Sequence, residues 1–199
     1  MDRSHLALRA PISSVMRHCP QLVTKRFARA AALPMVGDGE VLLCYLPLFH
    51  TFGRYLEMLG MLFWGGTYVF TGTPSFDTLA RALPSVRPTG LVGIPRRWAQ
   101  LRERCLAQAE GDGALRGVAG DRLRWGLSAA GHLDPVVFRY FQRHRVELCS
   151  GFGMTEGTGG ITMTPSPSPT MMSPGWTVVP PHPIVTSCSH GTCLRPRTA

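Results

Sequence analysis

Between residues 41 and 156 short apolar runs alternate with segments of helical period, and this alternation is the strongest constraint on the fold. Val41–Leu46 (VLLCYL) is an apolar run without polar alternation, the pattern of a strand buried on both faces. His50–Trp64 reads as a helix stopped by Gly65-Gly66, and Thr67–Phe70 is β-branched and aromatic, hence strand-like. Ser75 or Asp77 can cap a helix to about Leu83, with Pro84 after it. Gly90–Ile94 is the next strand. Pro95 then opens a helix in which Trp98, Leu101 and Cys105 share one face. Gly111–Gly120 reads as a loop, Leu123–Ser128 as a strand and Val146–Cys149 as the last strand. Asp134-Pro135 is a cap and first-turn proline for a helix through about Arg143. Five strands alternating with four helices predict an α/β fold, a mostly parallel sheet with flanking helices. Ligands of such sheets bind beyond the carboxyl ends of the strands. That directs attention to two loops: Ser128–Leu133 after the fourth strand and Ser150–Gly160 after the fifth.

The flanks differ in kind. Residues 1–40 form a segment without a clear assignment, apart from a plausible helix over Gln21–Ala32. Residues 165–199 hold eight of the 17 prolines and no acidic residue, and are expected to be a disordered tail. The domain itself is expected over 41–164. The net charge is +9, but every cation except Lys25 is an arginine and none cluster into a basic arm, so nucleic-acid binding is not expected. The uncharged stretch Met58–Phe76 is broken by Gly65-Gly66 and reads as helix, stop and strand rather than a membrane span. The N-terminus MDRSHLALRAP has no apolar core of a signal peptide, and Cys44 and Cys149 sit inside apolar runs. A cytoplasmic protein with reduced thiols is expected, with peripheral membrane association open. The segment Cys188–Cys193 lacks the second ligand pair of a zinc site.

The loop GFGMTEGTGG carries the most chemistry. Its glycines permit close approach of backbone to a ligand. Thr155 offers a hydroxyl to a phosphate oxygen, and Glu156 a hard oxygen for magnesium. Phe152 offers a flat face to a base or an acyl group. The alternative is a glycine-rich turn with a solvated Glu156 and a core Phe152.

Four segments in order resemble the adenylate-forming, AMP-binding superfamily, with the flavour of long-chain acyl-CoA synthetases. YLPLFHTFG (45–53) resembles its LPLFHxFG segment, and PTGLVGIPRRW (88–98) a strand and helix start. LSAAGHL (127–133) is similar to its adenine loop, and GFGMTE (151–156) to its YGMTE signature. The resemblance covers about residues 38–164 and implies a fragment of the large N-terminal domain of such an enzyme. It implies ATP-dependent activation of a carboxylic acid, of the fatty-acid class, to acyl-AMP with release of pyrophosphate, then transfer to coenzyme A. ATP/AMP, Mg2+ and coenzyme A are the implied cofactors. Thr155 would contact the phosphates, Glu156 would bind magnesium, and Phe152 and Gly153 would lie beside the adenine. Ala129, Ala130 and Gly131 would line the adenine slot through their backbones. His50 would sit near the carboxylate, the alternative being a buried histidine packed by Phe49 and Phe52.

Three family features are absent from these 199 residues. No phosphate-gripping loop rich in Ser, Thr and Gly precedes residue 45, no acidic residue follows Glu156, and no lysine follows Lys25. His132 and Ala129-Ala130 replace the usual proline and glycine pair of the adenine loop. A truncated ligase, incompetent alone and prone to self-association through exposed apolar surface, is therefore expected. The alternative is a non-catalytic remnant or interaction module.

Overall fold

A computed structural model of the chain describes residues 20–33, 36–108, 113–154 and 159–164. The tail beyond residue 164 and the segment Met1–Cys19 lie outside them. Helix α1 (Pro20–Ala32) precedes strand β1 (Val41–Cys44). A π-helical segment (Phe52–Met58) runs into α2 (Leu59–Trp64), which stops at Gly65 with φ 74°. There follow β2 (Thr67–Phe70), α3 (Phe76–Val86), β3 (Gly90–Gly93), α4 (Pro95–Gln108) and α5 (Gly113–Ala119). The described part closes with β4 (Trp125–Ser128), α6 (Pro135–Arg143), β5 (Glu147–Met154) and β6 (Gly159–Met163).

Strands β1 and β2 pair in parallel. Strands β3, β4 and β5 form a second parallel ladder, and β6 adds antiparallel to β5. The two ladders meet where the Thr89 N–H donates to the Val41 carbonyl at 3.0 Å. The predicted α/β class holds, with helices on both faces. Because strand side chains alternate, Leu43, Leu91 and Leu148 point into a core shared with α3 to α6, centred on Trp98, Leu101 and Phe141. Leu42, Val92 and Cys149 point the other way, into a core closed by Leu33, Leu56, Met61 and Trp125. At the join, buried Glu40 accepts from Trp125 Nε1 at 2.7 Å, from Thr89 Oγ1 and from Arg124. A carboxylate with this many donors is satisfied away from water.

Three expectations need correction. Gly111–Gly120 contains α5, not only loop: Ala114, Leu115, Val118 and Ala119 are buried against α3 and α4, and that packing overrides its glycines. Pro84 does not follow α3 but sits inside it. Ser75 caps the helix, accepting from Thr78 N–H at 3.1 Å, and the last turn closes when left-handed Arg87 (φ 52°) donates to Leu83. A prolyl nitrogen forfeits a single helix hydrogen bond, here one turn from the end. Finally, the glycine-rich stretch after Cys149 is not only a loop. Strand β5 continues to Met154 and pairs with β6.

Candidate adenylate and acyl site

Parallel pairing of Leu127 with Cys149 and of Ser128 with Ser150 makes the segments after β4 and β5 emerge at the same end of the sheet. A cavity of about 200 Å³ lies there, enclosed by α1, the start of the π-helix and the β5–β6 hairpin. It brings together His50, Ala129, Ala130, Phe152 and Gly153, five of the residues expected in the site. Gly131 is not in the lining; a Cβ built on it would touch Pro95 Cγ at 3.4 Å. Thr155 and Glu156 lie outside the described residues, between the paired Met154 and Gly159.

Each wall follows from local structure. Ser150 and Thr164 bind reciprocally: Ser150 N–H donates to Thr164 Oγ1 and Thr164 N–H to the Ser150 carbonyl, both at 2.9 Å. Beyond them Phe152 pairs with Thr162 but Gly153 with Gly160, so Ile161 has no partner. Such a bulge turns a strand sharply, and here it places Ile161 in the cavity wall. Phe152 is 60% exposed, which excludes the core-phenylalanine alternative and leaves a ring face free. His50 is exposed and Phe49 is 88% exposed, so the buried-histidine alternative fails too. His50 Nδ1 accepts from the Phe52 N–H at 3.2 Å, so a neutral ring carries its proton on Nε2. Ala130 stands at φ 66°, a left-handed conformation that favours glycine.

The residues that sequence reasoning missed are on α1. Arg26 and Arg29 are both 8% exposed. Arg26 donates to the Leu56 carbonyl at 3.3 Å and Arg29 to the Tyr55 carbonyl at 3.5 Å. Lys25 Nζ donates to the Gly160 carbonyl at 2.8 Å. Lys25 and Arg29, one turn apart, line the cavity, and no described lining residue is a carboxylate. Burial pushes the Arg29 guanidinium down to about 10. Burial and then the Arg29 charge also lower Lys25. The sequence held a signal: Arg26, Arg29 and Leu33 recur at spacings of three and four, so the cations occupy a face that should be apolar.

For a nucleotide the fit is favourable: an exposed aromatic face, two small residues and a cationic wall border one cavity. For magnesium, the described residues contain no group of three His, Cys, Asp or Glu able to hold a metal ion. Glu156 is the one ligand the resemblance assigns, and it lies outside them.

The chain is similar to several known proteins. It is 23% identical over 193 residues to long-chain-fatty-acid–CoA ligase 1 of Schizosaccharomyces pombe, covering 77% of this chain and 26% of that protein. Against acyl-CoA ligase sidI of Beauveria bassiana it is 37% identical over 135 residues, covering 67% of this chain and 20% of that one. The chain thus spans about a quarter or less of the length of these relatives. Among solved structures, a malonyl-CoA ligase in complex with methylmalonyl-CoA and AMP superposes with TM-score 0.59 at 30% identity, over 74% of this chain and 31% of that one. A long-chain-fatty-acid-CoA ligase from Archaeoglobus fulgidus matches in fold, with TM-score 0.59 at 18% identity over 73% of this chain and 29% of that one. The profile of the AMP-binding enzyme family matches residues 10–194, and the chain belongs to that family.

Proposed function

We propose that this chain forms the adenylate- and acyl-binding wall of an AMP-forming acid–CoA ligase. The observation that carries the reading is the single cavity in which Ala129-Ala130, Phe152-Gly153 and His50 meet at the strand ends. In this reading the adenine lies against the Phe152 face and the backbone at Ala129 and Ala130. The acid occupies the apolar remainder beside His50, whose Nε2–H is free to donate to an oxygen of the reacting carboxylate. Thr155 contacts the phosphates. Glu156 contributes an oxygen ligand to magnesium, which would offset phosphate charge. The names of the relatives make a fatty acid the starting expectation for the substrate.

We extend the proposal in two respects. These 199 residues do not complete acyl-CoA synthesis by themselves: Lys25 is the sole lysine and is held by Gly160, and no acidic residue follows Glu156. The protein is cytoplasmic, with a peripheral hold on membranes or on itself. Support for that contact comes from exposed Phe27, Leu62 and Phe63, of which Phe27 and Phe63 pack edge-to-face at 5.6 Å.

The test is calorimetric titration of the purified chain with AMP. Stacking of a base on an aromatic ring contributes about 1–3 kcal/mol, so Phe152→Ala should weaken AMP about fivefold or more. AMP binding unchanged by Phe152→Ala, or no AMP binding at all, would overturn the reading.

A further inference from the structure

Helices α4 and α6 pack on the face of the sheet opposite α1, and a groove lies between their outer surfaces. It is lined by Arg102 of α4, by Val136, Arg139, Tyr140 and Arg143 of α6, and by His144 just beyond α6. None of these residues borders the cavity at the strand ends. The α6 residues recur at spacings of three and four, so they share one helical face. Three guanidinium groups therefore meet with no carboxylate in the lining, and neither ion pair among the described residues involves them. Like charges one helical turn apart, as at Arg139 and Arg143, repel. The helix dipole offsets that for Arg143 in the last turn and for His144 after it. It does nothing for Arg139 at mid-helix or for Arg102 on a different helix. Nor is Arg102 a side chain loose in water. Its Nε is buried, and its guanidinium carbon stands 5.7 Å from the centre of the Tyr140 ring. The same ring packs against His144 with centroids 4.3 Å apart, and His144 Nδ1–H donates to the Tyr140 carbonyl at 2.7 Å. Tyr140 thus fixes a cation on α4 and an imidazole on α6 around one groove.

We infer that this groove is a second binding site, apart from the adenylate cavity, and that it takes the phosphate groups of a soluble ligand of the diphosphate class. The inference does not rest on the adenylate-site reading and stands or falls without it. A guanidinium presents its donors as a planar fork that matches phosphate oxygens, often two at a time. Three of them from two helices suit an anion of several charges better than a single carboxylate. An anion seated between Arg102, Arg139 and Arg143 would also remove their mutual repulsion, which nothing in the lining does. The patch is confined to one face of α6 and one residue of α4, not the extended cationic track that a nucleic-acid backbone follows. The exposed Phe27 and Phe63 lie on α1 and α2, across the sheet, and cannot add a membrane contact to this groove.

The experiment is calorimetric titration of the purified chain with inorganic pyrophosphate at about 0.15 M salt, where exposed charges more than about 8 Å apart are screened. Variants are Arg102→Gln, Arg139→Gln and, as a control, Arg104→Gln, exposed on α4 outside the groove. Circular dichroism checks folding. Arg102→Gln and Arg139→Gln should each weaken pyrophosphate about tenfold or more, as expected for loss of a hydrogen bond between charged groups. Arg104→Gln should leave the affinity unchanged. Arg139 is exposed, so its variant decides the matter even if Arg102→Gln does not fold. No pyrophosphate binding by the unsubstituted chain overturns the inference. Binding that Arg139→Gln leaves intact also overturns it, because the anion then sits elsewhere. An equal loss in Arg104→Gln overturns it as well, since the attraction then comes from the net charge and not from the groove. The second arm is sedimentation with phosphatidylcholine vesicles containing phosphatidate. Capture that Arg139→Gln abolishes, in a chain that does not bind pyrophosphate, overturns the inference in favour of a lipid headgroup.

Discussion

The indole of Trp98 occupies the space that a side chain on Gly126 would need, at the centre of the core between α4 and β4. Trp98 is 1% exposed and its ring stands edge-on to Phe141 at 4.9 Å. Even one added methyl at Gly126 must displace the ring. Gly126→Ala is expected to destabilise by about 1–3 kcal/mol through overpacking. Trp98→Ala should cost about 3–5 kcal/mol through the cavity it leaves. Urea denaturation followed by circular dichroism checks both, and a Gly126→Ala midpoint equal to that of the unsubstituted chain would contradict the packing described.

Much of this fold was legible because strands buried on both faces must be almost wholly apolar, as VLLC is and as WGLS is up to its last residue, Ser128. The start of α6 was legible too, since Asp134 accepts from the Val136 N–H at 2.7 Å ahead of Pro135. Strand β6 was not: GGITM has weak strand character alone and takes its conformation from β5. Helix α5 was hidden for the same reason, its stability coming from α3 and α4. In the site, Ala129, Ala130, Phe152 and Gly153 meet at one cavity because β4 and β5 are adjacent and parallel and run to the same end, whereas Gly131 stands outside the lining. Arg29 was missed because a buried arginine and a solvated one have the same letter, and only its spacing to Leu33 hinted at the difference.

Ala130 should be improvable. Its left-handed backbone (φ 66°) costs an L-residue with a Cβ about 1–2 kcal/mol. Glycine removes that strain but loses about 0.5–1 kcal/mol in chain entropy. Ala130→Gly is therefore expected to stabilise by roughly 0.5–1 kcal/mol, read as a higher denaturation midpoint. A lower midpoint would mean that the Ala130 methyl contributes packing that outweighs the strain.

Glu57 should make stability depend on pH. It is 1% exposed, its Oε2 accepts from Tyr68 Oη at 2.9 Å, and its Oε1 is buried without a hydrogen-bond partner. Burial pushes its carboxyl well above the usual range, against a smaller opposing effect of the Tyr68 hydrogen bond. The folded state thus holds the proton more tightly than the unfolded state. The favourable contribution is complete below the ordinary value of about 4.3 and is lost as pH rises through the raised one. Glu57→Gln keeps an acceptor for Tyr68 and cannot ionise. It should be more stable than the parent at neutral pH by roughly 1–3 kcal/mol, the usual cost of a buried group without a partner. The gap should close toward pH 4. A gap independent of pH would show that the Glu57 charge is compensated in the fold.

The last expectation concerns turnover. Joining a carboxylate to the α-phosphorus of ATP requires the reacting atoms in line and the phosphoryl charge held by placed cations and N–H donors. Within these residues His50 Nε2–H is one donor beside the cavity, and Thr155 and Glu156 are one hydroxyl and one carboxylate. Arg29 and Lys25 are cations, but they are held on α1 by the Tyr55 and Gly160 carbonyls. Each absent electrostatic contact is worth about 10²–10³ in rate. Without the phosphate-gripping loop and a lysine beyond Lys25, the effects compound, and binding can survive where chemistry does not. The purified chain given ATP, magnesium, coenzyme A and palmitate should release no pyrophosphate above background. Pyrophosphate release that disappears in Glu156→Ala would refute this, because the 199 residues would then contain everything the adenylation step needs.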